Sequence, residues 1–323
     1  MADAEGVPPP PGPPPFLDAR QVQRLCEQGH LALDLPTHLA EAYQAVSDDL
    51  KEFFTLSAEE KALLYPSRSA DTEQGYVRVD GEKEFITLRY LPQRSVADDG
   101  SDPISEDHRA EKGWPKTETM EKRLSQTWSD TAVLLLRILA DIAAALEIHP
   151  RAWDTLTEGS LALPDRREVA SPSLLRLFRY EPQGGTAEAH TDLGLLTLCV
   201  CRGPGLQVFE RQAQGTGQGD VPPGWRDAAD ATLLVGDTLR VLSSNRMRAG
   251  RHRVQATAGG RHSAVFGLRA STRGEIDLSL FGGHGAVDAR QFWDALRGSR
   301  VNVNWDKDRR DAFRAKMRAG AGV

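Results

Sequence analysis

The chain has 323 residues, of which 40% are apolar and 27% charged, a composition typical of a globular protein with a full hydrophobic core. Its formal net charge of -6 excludes the strongly basic surface that attracts nucleic acid phosphates, so we expect no nucleic acid partner. The longest apolar stretch, residues 131–146, is interrupted by Arg137 and Asp141 and is too short to cross a bilayer about 30 Å thick, so we expect no membrane partner.

The amino-terminal residues and the cysteines indicate the cellular compartment. Residues 1–15 are rich in proline and lack the charged and apolar regions of a signal peptide, which predicts a disordered extension. The three cysteines, Cys26, Cys199 and Cys201, are an odd set typical of a reducing compartment, so we expect a cytoplasmic protein. The pattern predicts no particular oligomeric state.

The amino-terminal region, residues 16–120, mixes helices and strands. Apolar residues at helical spacing predict helices that flank a short strand at residues 30–35. Residues 75–79 and 84–90 alternate and are rich in β-formers, which predicts two strands around a turn. Charged sequence with proline and glycine predicts a loop at residues 92–115.

A supporting helix and a linker are expected over residues 121–170, with the helix itself at 119–148, and a strand-rich core over residues 171–275. A carboxy-terminal helical segment, residues 276–323, is expected to pack on that core. The fold class is therefore mainly β with flanking helices. The predicted strands are 174–180, 195–201, 206–210, 232–235, 238–242, 252–255 and 262–269, with a surface hairpin at 212–219.

Three residues of the strand-rich core form a candidate metal site. His190 and Asp192 are two positions apart, so on a strand both side chains would project from the same face. His252, on a later strand, would complete two imidazoles and one carboxylate. That is the ligand set of non-haem iron(II) oxygenases, although a zinc hydrolase can use the same three ligands.

Arg261 and Ser263 share one face of the strand that follows His252. A planar guanidinium beside a hydroxyl suits a carboxylate, such as the far carboxylate of 2-oxoglutarate. Zinc hydrolysis gives no reason for such a pair, so the two residues favour the iron oxygenase over the hydrolase.

Several segments resemble the isopenicillin N synthase-like family. They are Leu174 to Pro182, His190 to Leu198, Gly205-Leu206-Gln207-Val208, Trp225, Gly236-Asp237, Ser244-Asn245, His252-Arg253-Val254 and Arg261-His262-Ser263. The resemblance covers residues 171–273, and residues 53–61 are similar to the amino-terminal domain of that family.

This resemblance implies a distorted double-stranded β-helix, or jelly-roll, that binds Fe(II) through His190, Asp192 and His252 and uses 2-oxoglutarate and dioxygen as co-substrates. It also implies that Tyr180 donates to the 2-oxoglutarate carboxylate held by Arg261 and Ser263. The implied activity is hydroxylation, desaturation or radical ring expansion of a small organic substrate. Natural-product biosynthesis, such as a fungal tropolone-type pathway, fits the resemblance.

Substrate contacts are expected from residues that share strand faces near this site. Arg176 and Phe178 lie on the same face as Tyr180, and Phe85, Thr87 and Arg89 form a one-sided set on an amino-terminal strand. Ordinary sheet packing is the alternative role for these residues.

Other functions and residues have simpler explanations. Phe178 and Arg179 replace the asparagine and first tyrosine of the family's Asn-Tyr-Tyr-Pro segment, so the substrate of a relative does not transfer. Two alternatives stay open, namely a four-electron oxidase that needs no 2-oxoglutarate and a non-catalytic binding protein. We expect His262 to face away from the site and Asp237 to organise a turn between strands.

Overall fold

The computed structural model describes residues 14–67, 73–91, 117–212, 222–298 and 300–320. Nearly all of the predicted amino-terminal extension, the whole loop predicted at 92–115 and most of the hairpin predicted at 212–219 lie outside these ranges. Within them, no helix is both long and apolar enough to cross a membrane.

Three helices and a short strand begin the fold, namely α1 (Ala19–Gln28), β1 (His30–Ala32), α2 (Thr37–Phe53) and α3 (Ala58–Leu64). Helix α1 begins with a capping box between Asp18 and Gln21. It ends at Gly29, whose φ of 77° favours glycine and where a β-carbon would lie 2.5 Å from the Arg248 carbonyl oxygen. This tight end turns the chain from α1 directly into β1.

Helix α4 (Thr117–Ala145) is the supporting helix that the apolar pattern predicts. Its Trp128 is fully buried, stands edge-on to Phe266 at 4.9 Å between ring centroids, and donates from Nε1 to the Ser160 carbonyl oxygen at 2.8 Å. A buried Trp that has both a ring contact and an N–H acceptor loses little on desolvation. The helix therefore backs the largest sheet of the protein.

The remaining strands are β2 (Gly75–Val79), β3 (Lys83–Leu88), β4 (Leu174–Tyr180), β5 (Ala187–His190), β6 (Leu196–Val200), β7 (Leu206–Glu210), β8 (Gly224–Asp227), β9 (Ala231–Val235), β10 (His252–Val254), β11 (Arg261–Leu268), β12 (Glu275–Asp277) and β13 (Ala286–Asp288). They form a seven-stranded sheet in the order β1-β9-β6-β11-β4-β3-β2, a four-stranded sheet in the order β5-β10-β7-β8, and the pair β12-β13.

A small apolar core lies between the two larger sheets. Phe178 and Cys199 contribute to it from the seven-stranded sheet, and Val208 and Val254 contribute from the four-stranded sheet. Two antiparallel sheets that enclose a core are the jelly-roll arrangement predicted from the sequence. A larger core fills the space between the seven-stranded sheet and the helices, which confirms the class of mainly β with flanking helices.

The structure corrects the prediction for residues 238–242. They form helix α5 (Asp237–Leu242) and no strand, with Thr238, Leu239 and Leu242 buried. A short apolar run carries too few residues to separate a period of 2 from one of 3.6, and Asp237 in the first turn favours a helix. Strands β5, β8, β12 and β13 were not predicted, because none has a long alternating run.

Helices α6 (Ala289–Gly298) and α7 (Lys307–Gly320) end the described chain. Several contacts hold this carboxy-terminal part against the jelly-roll. Arg310 Nη2 donates to Glu82 Oε1 at 2.8 Å, and Lys83 Nζ donates to the Val303 carbonyl oxygen at 3.0 Å. Residues 300–305 thereby lie beside the open end of the jelly-roll.

Candidate metal centre and active-site cleft

His190, Asp192 and His252 come together at one end of the four-stranded sheet. Strands β5 and β10 pair so that His190 and His252 face each other, with ring centroids 4.2 Å apart. Asp192 Oδ1 lies 3.8 Å from His190 Nε2, and Asp192 Oδ2 lies 3.9 Å from His252 Nε2. One ligand atom from each residue lies within 4.8 Å of the others, close enough to share one ion.

The prediction that His190 and Asp192 share a strand face is wrong in one detail. His190 is the last residue of β5, and Asp192 lies in the turn that follows. The turn brings the carboxylate back beside the imidazole, so the two side chains still converge. Alternation along a strand is therefore not what brings the donors together.

Each histidine is oriented by a carbonyl oxygen two residues earlier in the chain. His190 Nδ1 lies 2.7 Å from the Glu188 oxygen, and His252 Nδ1 lies 3.0 Å from the Gly250 oxygen. A carbonyl can only accept, so each Nδ1 carries the proton and each Nε2 presents a lone pair to the centre. This is the second-sphere arrangement that metal-binding histidines use.

Asp237 fixes the turn that carries Asp192, a role that sequence reasoning missed. Its carboxylate accepts from the Thr191 hydroxyl at 2.7 Å, and its backbone N–H donates to the backbone carbonyl oxygen of Asp192 at 2.8 Å. Arg300 pairs with the same carboxylate and donates to the backbone carbonyl oxygen of Thr191 at 2.9 Å. The sequence predicts Asp237 in a turn between strands, but the residue is buried in the first turn of helix α5, and the turn that it fixes is the one between β5 and β6.

Two glycines let the Asp192 turn and helix α5 approach closely. A β-carbon on Gly236 would lie 2.0 Å from the Gly194 oxygen, and one on Gly194 would lie 2.6 Å from the Leu268 oxygen. Backbone this close leaves no room for any side chain. The glycines therefore allow the Asp192 turn to pack directly against the start of helix α5 and the end of β11.

Burial and neighbouring charges shift the pKa values of the cluster. Burial, followed by repulsion from His252, lowers the pKa of His190 to about 3. Burial alone would raise the pKa of Asp192, but the charges of His252 and His190 outweigh it and hold that pKa below its usual range. The cluster therefore holds a neutral imidazole and a carboxylate at neutral pH, the protonation states that metal binding requires.

Arg261 and Ser263 lie on one face of β11, where Arg261 pairs with Tyr180 and Ser263 with Phe178. All four side chains are buried, and the Arg261 guanidinium lies 5.6 Å from the centre of the Tyr180 ring. Within the described part of the chain, Arg261 Nε and Nη1 have no hydrogen-bond partner. Buried donors without a partner are costly, so this pair of N–H groups suits an incoming carboxylate.

His262, on the opposite face of β11, packs against Phe54 with ring centroids 5.8 Å apart. Burial lowers its pKa. The side chain thus faces the helices and lies away from Arg261 and Ser263, as the alternation of the strand predicts.

A cleft of about 910 Å³ opens over His190 and Asp192. Of the predicted substrate contacts, Arg176 and Arg89 line this cleft. The other three lie against Arg176, because Thr87 Oγ1 accepts from Arg176 Nε at 2.8 Å and the guanidinium lies over the rings of Phe85 and Phe178 at 5.3 and 5.9 Å.

Comparison with known proteins agrees with this geometry. Residues 171–270 match the family model of the 2OG-Fe(II) oxygenase superfamily. The chain is 29% identical over 299 residues to the 2-oxoglutarate-dependent dioxygenase frbH of Dothideomycetidae sp. (strain 11243), covering 86% of this chain and 84% of that protein. It is 34% identical over 139 residues to oxidoreductase vrtI of Penicillium aethiopicum, covering 40% of this chain and 32% of that protein.

Solved structures share the fold. A full-length Neurospora crassa protein, solved in complex with alpha-KG and thymine, superposes with a TM-score of 0.59 at 16% identity, covering 87% of this chain and 91% of that one. JOX2 in complex with 2OG, Fe and JA superposes with a TM-score of 0.61 at 17% identity, covering 91% and 84%. At such identities the likeness shows the double-stranded β-helix fold alone.

The narrower resemblance to the isopenicillin N synthase-like family stays a prediction. The matched residues 171–270 contain all three donors of the cluster, and the relative that extends over most of the chain is a 2-oxoglutarate-dependent dioxygenase. Residues 171–270 therefore form a domain of the 2OG-Fe(II) oxygenase superfamily, and the protein is an oxidoreductase that uses iron(II) and 2-oxoglutarate.

Proposed function

We propose that His190, Asp192 and His252 hold iron(II), and that Arg261, Ser263 and Tyr180 hold the far carboxylate of 2-oxoglutarate. A small organic substrate enters the cleft over His190 and Asp192, with dioxygen as the other co-substrate. The observation that carries the proposal is the convergence of two imidazole Nε2 atoms and one carboxylate within 4.8 Å. Two nitrogen donors and one oxygen donor leave open positions on iron for co-substrates.

Iron(II) and 2-oxoglutarate, when bound, supply the oxidising chemistry, in which 2-oxoglutarate loses carbon dioxide to become succinate. The protein binds and orients the reactants. His190 and His252 keep their Nδ1 protons on backbone carbonyls, which leaves both Nε2 atoms to the metal. Asp237 binds the backbone of the turn that contains Asp192 and thereby helps to hold the Asp192 carboxylate in place.

Arg261 is the residue proposed to select 2-oxoglutarate. Its Nε and Nη1 have no hydrogen-bond partner among the described residues, so the guanidinium would donate to an incoming carboxylate, with Ser263 on the same strand face. Burial raises the pKa of Tyr180 well above its usual range, so its hydroxyl stays protonated and can donate to the same group. Three neutral or cationic donors in a buried site favour an anion over a neutral ligand.

The four-electron oxidase remains the second candidate, since Arg261 could instead hold a carboxylate of the organic substrate. The 2-oxoglutarate-dependent relative favours the first candidate. A non-catalytic binding protein would need no intact donor set, and all three donors are present.

Anaerobic titration of the iron(II)-loaded protein with 2-oxoglutarate tests the proposal. We expect a weak visible charge-transfer band from chelation, and Arg261→Ala should weaken co-substrate binding by at least about tenfold while iron content stays at one equivalent. Arg202→Ala, at an exposed arginine, is the matched control and should leave the titration unchanged.

Two results would contradict parts of this assignment. Absence of the band in iron-loaded protein would favour the four-electron oxidase. An unchanged titration in Arg261→Ala would place the co-substrate carboxylate elsewhere in the protein.

We also propose a cytoplasmic location, supported by three cysteines that are all free, two of them buried. That the substrate is a natural-product intermediate, and that the reaction is hydroxylation, desaturation or ring expansion, stay predictions.

A further inference from the structure

The cleft over the candidate metal centre carries an excess of positive charge. Seven arginines and four acidic residues line it. Arg300 pairs with the buried Asp237, and Arg314 pairs with Glu188. Arg290 and Arg297 are exposed, so the more buried part of the positive charge lies at Arg89, Arg176 and Arg269.

These three arginines surround one carboxylate, that of Glu73. Glu73 Oε2 lies 2.5 Å from Arg269 Nη1, and Oε1 lies 3.6 Å from Arg176 Nη2. The charge of Arg89 also acts on this carboxylate. Burial alone would raise the pKa of Glu73, but Arg269 and Arg176 outweigh it and hold that pKa far below its usual range. One ionised carboxylate thus pairs with two guanidinium groups and is close enough to a third to be affected by its charge.

Other contacts hold the arginines independently of Glu73. Arg176 Nε donates to Thr87 Oγ1, and the Arg269 guanidinium lies 5.3 Å from the centre of the Trp293 ring. Arg89 Nε donates to the Ser171 oxygen at 2.7 Å. Guanidinium groups fixed in this way form a preorganised anion site that would remain if Glu73 moved away.

The guanidinium groups of Arg89, Arg176 and Arg269 repel one another. Burial, followed by repulsion from Arg269, lowers the pKa of Arg89 to about 10. Burial also lowers the pKa of Arg176, with Arg269 adding to the effect. An extra anion at this position would relieve that repulsion, which Glu73 alone does not balance.

The cluster is distinct from the proposed 2-oxoglutarate clamp. Arg261 begins β11 and Arg269 follows its end, so at about 3.3 Å per residue the two are roughly 26 Å apart along the strand. Among the described residues that line the cleft, Arg176 and Arg269 occur together with His190 and Asp192, whereas Arg261 does not. An anion on the cluster would therefore share the cleft with the metal centre and leave the clamp accessible.

Glu73 is suited to act as a replaceable partner. Its φ of 53° lies in the left-handed region, which residues with a β-carbon rarely adopt, so ion pairs rather than backbone preference favour its position. Its side chain is 22% exposed, open enough for solvent to reach.

Resting on the proposed function, we propose that the organic substrate is an oxyanion, a carboxylate or a phosphate, which replaces the Glu73 carboxylate on Arg176 and Arg269. The anionic group would anchor the substrate at one side of the cleft, and the rest of the molecule would extend towards His190 and Asp192. Arg176 and Arg269 are thus specificity-determining residues for an acidic substrate.

Calorimetric titration with benzoate, phenyl phosphate and benzamide tests this proposal, because the three probes share one ring and differ in charge. The protein is titrated anaerobically with and without iron(II) and 2-oxoglutarate. We expect at least one of the anions to bind about tenfold or more tightly than benzamide. The tighter of benzoate and phenyl phosphate identifies the anionic group of the substrate.

Variants separate the anion site from the clamp. Arg269→Gln and Arg176→Gln should each weaken anion binding about tenfold or more and leave the 2-oxoglutarate band unchanged. Glu73→Gln should strengthen anion binding, because the competing carboxylate is gone. If Glu73→Gln does not fold, Glu73→Asp replaces it, and its shorter side chain should also strengthen anion binding. Arg166→Gln, at an arginine whose side chain is 70% exposed, is the matched control.

Equal affinity for benzoate, phenyl phosphate and benzamide would overturn the proposal, as would weaker anion binding in both Glu73 variants. Loss of the 2-oxoglutarate band in Arg269→Gln would also overturn it, because the cluster would then be the co-substrate clamp. If the wild-type protein shows no 2-oxoglutarate band but still binds an anion more tightly than benzamide, the result contradicts the proposed function and leaves the anion site in place.

Discussion

Two glutamates, Glu84 and Glu73, each pair with cationic side chains, but Glu84 is buried and Glu73 is open to the cleft. Glu84 is 2% exposed and accepts from Lys61 at 2.7 Å and from the Tyr76 hydroxyl at 2.6 Å, with Arg179 Nε 2.5 Å away. Its partners lie between the seven-stranded sheet and the helices. Glu73 is 22% exposed and has three arginines around it in the cleft.

The difference separates a structural ionic cluster from a ligand site. In the Glu84 cluster, Glu84 and Lys61 are buried and paired with each other, and the more exposed Arg179 also pairs with Glu181, so positive and negative charges balance without a ligand. The Glu73 cluster is open and carries more positive than negative charge, which a ligand can correct. Charge balance and access, rather than burial, therefore identify the functional cluster.

The largest expected effect is on folding, from Glu84→Ala. The change leaves the buried Lys61 ammonium without its carboxylate, while Arg179 is 34% exposed and keeps Glu181 as a partner. Removing one partner of a buried ion pair costs about 3–5 kcal/mol. We expect that loss in the free energy of unfolding, measured with urea. A loss below about 1 kcal/mol would mean that the Glu84 cluster does not stabilise the fold.

Asp192→Ala should instead act on metal binding. One of three protein donors is removed, so iron affinity should fall by about 100-fold or more, while the urea midpoint changes little. Metal analysis after gel filtration measures the effect, with Asp227→Ala at an exposed strand residue as the control. Full iron occupancy in Asp192→Ala would exclude this cluster as the metal site.

Asp237→Asn should have a smaller effect of the same kind. The amide keeps the shape but weakens the bonds to Thr191 and Arg300 that hold the Asp192 turn. Second-sphere changes of this type typically cost about 10–100-fold in metal affinity. An unchanged iron affinity would show that Gly194 and Gly236 alone position the turn.

The pH dependence of stability tests the role of the Glu84 carboxylate. The pKa of Glu84 is lowered, because the hydrogen bonds from Lys61 and Tyr76 outweigh its burial. A lowered folded-state pKa stabilises the fold above the unfolded value of 4.5, and this stabilisation is lost as the pH falls towards the folded-state value. Stability measured from about pH 6 down to about pH 3 should fall less steeply in Glu84→Gln than in wild type.

The smallest expected effect on stability is that of Glu73→Gln. Removal of the carboxylate loses two ion pairs but leaves three arginines that other groups hold, at a site open to solvent. We expect a change in the free energy of unfolding within about 1 kcal/mol. A loss as large as that of Glu84→Ala would make Glu73 a structural residue and remove the contrast.

Much of the fold could be predicted from the sequence, because long periodic segments carry strong signals. Helix α4 and strands β4 and β11 lie close to their predicted positions. Helix α5 could not be predicted, since six residues of mixed apolar sequence fit either period. Strand β5 has two exposed and two partly or fully buried positions and gives no pattern of its own.

The candidate site was partly predictable for the same reason. Residues 171–275 contain only three histidines, and two of them, His190 and His252, fit a metal site together with Asp192, so the sequence indicates one shared ligand. Glu73 and Arg269 are 196 positions apart, and nothing in the sequence pairs one carboxylate with one arginine at that separation. The role of Asp237 also depends on a contact with another loop, which no local pattern records.

The close approach of Gly194 and Gly236 has a consequence for libraries of single substitutions. Any side chain at either position meets backbone that cannot yield, so such variants should be depleted in a screen that scores protein abundance. Substitutions at His190 should survive that screen and disappear only when turnover is scored. Comparing the two screens would map, residue by residue, which parts of this loop serve the architecture and which serve the chemistry.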